Sequence, residues 1–149
     1  MDFIAYIVPP LSVLAGVVVT QLFNRWQRRE HFQRMIFDKK LHVYSELCGL
    51  STNLIGGVIR AEPYETIPDH ISVASDTVIH FMQANYLLIS VEIKGIVGEI
   101  RKSIPKHVIK SYPYELACAE MISLNNLLQK VCREELGLDS FEKHIRKSL

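Results

Sequence analysis

Residues 3–23 read FIAYIVPPLSVLAGVVVTQLF, a run of 21 residues without a charge, and NRWQRR follows at once. A helix rises about 1.5 Å per residue, so this run is about 31 Å long, the thickness of a bilayer's hydrocarbon core. A core helix of that length in a water-soluble domain normally carries a polar face. Here the polar positions are Ser12, Thr20 and Gln21. A secretory signal opens with positive charge, whereas Asp2 precedes this run and the arginines come after it. The run is therefore expected to be a retained transmembrane helix.

The flanks set its expected direction. Arg25, Arg28 and Arg29 follow the run and no Lys or Arg precedes it. Basic residues stay on the cytoplasmic side. The N-terminus is then outside, and the rest of the chain is cytoplasmic at the inner (plasma) membrane. Trp26 stands where an interfacial aromatic is expected, so Arg25, Trp26, Arg28 and Arg29 are the candidate membrane-interface anchors. This divides the chain into a span with its flank, 1–26, and a cytoplasmic part, 27–149.

Two features inside the run bear on assembly. Pro9 and Pro10 either kink the helix or mark its start, since proline lacks the amide hydrogen that an interior turn needs. A helix starting at the pair would span only about 25 Å to Trp26, and such mismatch favours bilayer thinning or oligomerisation. Ser12, Gly16, Thr20 and Asn24 recur every fourth residue. Small residues at that spacing let helix backbones approach closely in lipid. These four residues are the candidate self-association or pore-lining face, and a homo-oligomer is expected.

Beyond Asn24 the pattern stays helical. Phe32, Ile36, Val43, Leu47, Leu50, Leu54 and Val58 fall mostly three, four or seven apart. Glu30 and Arg34 can pair at i,i+4. One helix is thus expected to run to about Arg60, with Gly56-Gly57 marking fraying, a bend or a tight crossing. Residues 61–70, with two prolines, read as a loop. A second helix carries Ile71, Ala74, Val78, Phe81 and Asn85. Ser90 is placed as the N-cap of a third, with Glu92 in its first turn, Ile93, Ile96, Val97 and Ile100 inside, and an end before Pro105. A fourth opens with Pro113 as its first residue, packs Ala117, Met121, Leu124, Leu128 and Val131, and closes at Gly137. Asp139 and Glu142 suggest a short last helix. No stretch alternates with period two. The fold class expected is all-α: an N-terminal transmembrane helix continuing into the long helix of a four-helix cytoplasmic bundle.

Composition narrows function mainly by exclusion. The formal net charge is +1, yet charge is segregated. Residues 24–40 are basic, residues 61–100 acidic, and Arg101, Lys102, Lys106 and Lys110 form a second basic cluster, followed by Lys143, Arg146 and Lys147 in the tail. Three cysteines, Cys48, Cys118 and Cys132, are too few and too scattered for a disulfide framework. They read as small buried residues in a reducing compartment. No cysteine or histidine pair has zinc-site spacing, and His42 and His80 read as packed or surface residues. Neither a metal nor another cofactor is expected. The phosphate-binding, dinucleotide and serine-hydrolase signatures are missing. Glu134 and Glu135 are adjacent and point to different sides of a helix, so they read as solvated surface. The expectation is a protein that is not an enzyme.

One constellation runs the other way. In RKSIPKH, Arg101 stands six residues before His107, which resembles the Arg-x(4–6)-His motif of the all-helical HEPN ribonucleases. That resemblance implies action on an RNA backbone by Arg and His of two protomers. Lys102 and Pro105 depart from the pattern. The alternative for Arg101, Lys102, Lys106, His107 and Lys110 is a basic surface that binds an anion or an acidic partner. WQRREHFQRMIFDKKLHVYSEL, residues 26–47, resembles the juxtamembrane segment of bacterial single-span proteins with small helical bundles. The layout is also similar to the pore-forming membrane accessory protein of RNA-targeting CRISPR systems. This resemblance implies a membrane-disrupting effector in antiviral defence. The leading expectation is such an oligomeric effector, with the lipid bilayer as its partner. The alternatives are a tethered adaptor that recruits a cytoplasmic protein or nucleic acid, and a HEPN-like ribonuclease.

Overall fold

The structure, a computed structural model, describes the backbone of residues 3–61, 66–108 and 113–138, and side chains of residues 20–61, 66–106, 108 and 113–138. Among the described residues four helices follow in order: α1 (Phe3–Arg60), α2 (Asp69–Ala84), α3 (Val91–Val108) and α4 (Tyr114–Glu135). Among the described residues there is no strand. The all-α bundle expected from periodicity is what forms. The chain divides into two compact units, Met1–Asp38 and Lys39–Leu149. Among the described residues no helix is long and apolar enough to cross a membrane. The expected span Phe3–Phe23 falls largely outside them, because side chains are described only from Thr20 onward. The helical bounds of α1 start at Phe3, so Pro9 and Pro10 lie inside them.

The second unit is built on the rows read from the sequence. Val43, Leu47, Leu54 and Val58 of α1 are buried, and Leu50 packs at the edge of the same cluster. Ile71 and Val78 of α2, Ile93, Ile96, Val97 and Ile100 of α3, and Met121, Leu128 and Val131 of α4 close the core around them. Helix ends follow local chemistry. Ser90 caps α3, its Oγ accepting from the Ile93 amide at 3.2 Å. Gly137 has φ 67°, a conformation with little strain only for glycine, and its amide donates to the Glu134 carbonyl at 3.0 Å. Pro113 is the N-cap of α4 rather than its first helical residue. The candidate last helix from Asp139 lies outside the described residues.

Two expectations need correction. Pro105 does not end α3, which runs on to Val108. Ile104 and Val108 are buried on either side of it and hold the last turn against the core, while Pro105 itself is exposed. The backbone carbonyl that loses its donor is that of Arg101, on an exposed residue where water can replace it. Gly56 and Gly57 do not mark a tight crossing. A Cβ at Gly57 would meet nothing within 4 Å, and one at Gly56 would meet only the tip of Arg60 at 3.5 Å. The helix ends just beyond, where Arg60 Nε donates to the Gly56 carbonyl at 2.9 Å.

A helical glycine with open space around it costs conformational entropy and contributes no packing. Gly57→Ala should therefore stabilise the protein by about 0.5–1 kcal/mol. Urea unfolding followed by circular dichroism measures this as a higher midpoint at unchanged slope.

Candidate functional site

The first candidate site lies on the described part of the first unit. Thr20 and Asn24, the inner members of the small-residue stripe, are exposed, whereas the side chains of Ser12 and Gly16 lie outside the described residues. Arg25, Trp26, Arg28 and Arg29 are all exposed. Phe23 stacks toward Trp26 with ring centroids 6.2 Å apart and a 36° tilt. An apolar pair and three arginines therefore share two turns of helix. Further on, Phe32, Met35 and Ile36 stand one turn apart on one face and stay at least 36% exposed. Nearby, Arg34 donates to Glu30 at 2.6 Å, the i,i+4 pair read from the sequence. Such an exposed pair contributes only a few tenths of a kcal/mol.

The second candidate, the basic cluster on α3, is less concentrated than the sequence suggested. Arg101, Lys102 and Lys106 are exposed on the helix rather than gathered on a loop. Lys102 is paired with Glu99 at 2.7 Å. The bond from Lys102, its charge and that of Lys106 hold the Glu99 carboxyl below the usual carboxylate range. Arg101 lines a cavity of about 240 Å³ together with Ser72, Ser75 and Asp76 of α2. His107 lies within α3, with its side chain outside the described residues, as is all of Lys110. Arg101 and His107 are thus carried by one helix. No five-residue anion site is assembled from the residues described.

A third constellation was missed by sequence reasoning. Tyr44 is sealed in the core at 1% exposure. Its hydroxyl donates toward Glu135 Oε2 at 2.6 Å, with the Leu88 carbonyl as a second acceptor at 3.1 Å. Lys40 Nζ lies 3.9 Å from the same carboxylate and 5.7 Å from the centre of the Tyr44 ring. Glu135 is an exposed residue whose carboxylate is nonetheless engaged by both groups. Its neighbour Glu134, also exposed, is paired with Lys130 at 3.7 Å. Burial, then the bond to Glu135 and the charge of that carboxylate, push the Tyr44 phenol well above its ordinary range. The sequence signal was a tyrosine interrupting an aliphatic row, a weak one because its partner lies 91 residues away. His42 is a surface residue 3.6 Å from Glu46, and among the described residues no group of His, Cys, Asp and Glu could hold a metal ion.

The chemistry of this network is structural: it holds a proton and cannot readily release it. Below about pH 10 the phenol is protonated in folded and unfolded chains alike, and the network contributes fully. Above that, the unfolded phenol ionises first, so stability falls as pH rises. Tyr44→Phe should lower stability by about 1–3 kcal/mol at neutral pH, since the Glu135 carboxylate and the Leu88 carbonyl lose their donor. The alkaline decline should be shallower in the variant, which unfolding midpoints between pH 7 and pH 11 would reveal.

No protein family model matches this chain, and neither does any curated protein or solved structure, so its function has to be argued from its own residues.

Proposed function

We propose that the chain is a single-pass membrane protein whose copies assemble through their spans, with the N-terminus outside and the bundle in the cytoplasm. The uncharged run Phe3–Phe23 carries this reading. Two further facts support it. The run lies within the bounds of one helix, the secondary structure that satisfies its own backbone in lipid. It is followed by exposed Arg25, Trp26, Arg28 and Arg29, an aromatic among cations suited to anionic headgroups. Each near-surface arginine contributes about 1 kcal/mol there.

Assembly draws support from two places. Ser12, Gly16, Thr20 and Asn24 form a row along which a second helix can approach. Phe32, Met35 and Ile36 leave an apolar face uncovered, which a second copy of the same face would bury. The activity that fits spans gathered in this way is permeabilisation of the membrane, the role implied for effectors of this layout. Neither a substrate nor a cofactor is needed for it.

Gly16→Leu tests the reading. Four added carbons would push neighbouring helices apart, while hydrophobicity rises and insertion is kept. The variant should be inserted and folded, resist carbonate extraction like the parent, and lose both crosslinking between copies and dye leakage from vesicles. Unchanged crosslinking and leakage would mean that the row faces lipid. A parent protein that neither crosslinks nor leaks would leave the span a simple anchor, and the bundle a tethered adaptor.

A further inference from the structure

Cys48 of α1 and Cys132 of α4 are far apart in sequence but are brought to one place in the bundle. Both are free thiols. Both also line one cavity of about 310 Å³, walled by Leu41, Tyr44, Gln129 and Leu136 among others. Their burial differs. Cys132 is 4% exposed, whereas Cys48 is only half-buried and looks into the cavity. Both sulfurs therefore belong to residues bordering one cavity, with Cys48 the more exposed of the two. Such an arrangement has one attacking thiol and one resolving thiol.

We propose that Cys48 and Cys132 are a peroxide-reactive dithiol, in which Cys48 is attacked first and Cys132 resolves it into a disulfide joining α1 to α4. The chemistry needs one two-electron oxidant, a small neutral hydroperoxide. The Cys48 thiolate attacks the peroxide; an S–O bond forms, the O–O bond breaks, and the leaving hydroxide takes a proton to become water. Cys132 then attacks the Cys48 sulfenic acid; the S–S bond forms, the S–O bond breaks, and the Cys132 proton leaves with the hydroxyl as a second water. Two thiols are oxidised and one peroxide is reduced to two waters.

The surroundings favour this division of labour. The S–H of Cys132 is positioned to donate to a Cys48 thiolate, which holds the Cys48 pKa below that of a free thiol. That same bond, then burial and the nearby charges of Cys48 and Glu135, push Cys132 far up and keep its proton in place until it is needed. A small neutral oxidant suits a cavity whose polar surface is scant, whereas a protein thiol would need Cys48 on an open surface. Cys118, also on α4 but absent from the cavity lining, serves as an internal reference.

The test is graded hydrogen peroxide treatment of the full-length chain in mild detergent, read by thiol titration and peptide mapping. The free thiols should fall from three to one, with a Cys48–Cys132 linkage within one chain and a mass loss of about 2 Da. In Cys132→Ser, Cys48 should stop at a sulfenic acid that dimedone traps at least about tenfold faster than at Cys118. Cys118→Ser should form the linkage as the parent does. Equal labelling of Cys48 and Cys118, a disulfide only between chains, or three thiols surviving peroxide would each overturn the proposal. The mapping on the parent chain decides the linkage even where a serine variant folds poorly.

Discussion

The phenol of Tyr44 is the point through which the bundle is tied together. It is carried by α1, bonds a carboxylate of α4, and reaches the carbonyl of Leu88 just ahead of α3. Apolar packing alone gives the four helices a shared interior but little reason to prefer one register over another. A buried hydroxyl with one proton and fixed acceptors sets that register, because any slip leaves a donor or a carboxylate unpaired at a cost of about 1–3 kcal/mol. Lys40 adds a cation on the same carboxylate. The rows of Leu, Ile and Val close around this network from all four helices.

How much of this was readable in advance depended on distance along the chain. The periodic rows Ile93–Ile100 and Ala117–Val131, the Ser90 cap and the Gly137 terminus rest on interactions within a few residues, and each could be placed from local spacing. Pro105 misled because its helix-breaking tendency is local, while Ile104 and Val108, whose burial overrides it, act through tertiary contact. Glu135 is exposed, as its place beside Glu134 suggests, but nothing near it in sequence marks it as the partner of Tyr44. The cysteines were read singly, and only the packing of α1 against α4 makes two of them a pair. Of the candidate sites, Arg25, Trp26, Arg28 and Arg29 are exposed. In the basic cluster, charge counting does not register that Glu99 engages Lys102.

In the proposed reading, α1 serves two environments with one secondary structure. Its N-terminal run is uncharged, as lipid demands. Its C-terminal half is apolar on one side, as a bundle demands. Between them, residues 24–38 mix exposed arginines with exposed Phe32, Met35 and Ile36, a surface that suits neither water nor hydrocarbon alone. A headgroup layer and a neighbouring copy would together satisfy it. The thiol pair of Cys48 and Cys132 sits further along the same helix, so its oxidation would staple α1 to α4 without touching the span.

Membrane anchoring with a cytoplasmic bundle is the central claim, and protease protection tests it most directly. A C-terminally tagged chain is expressed in bacteria, spheroplasts are prepared, and protease is added before and after lysis. The tagged bundle should stay whole in intact spheroplasts, sediment with membranes, and be cut only once they are opened. A tag cut from outside, or a chain released with the soluble fraction, would contradict the claim.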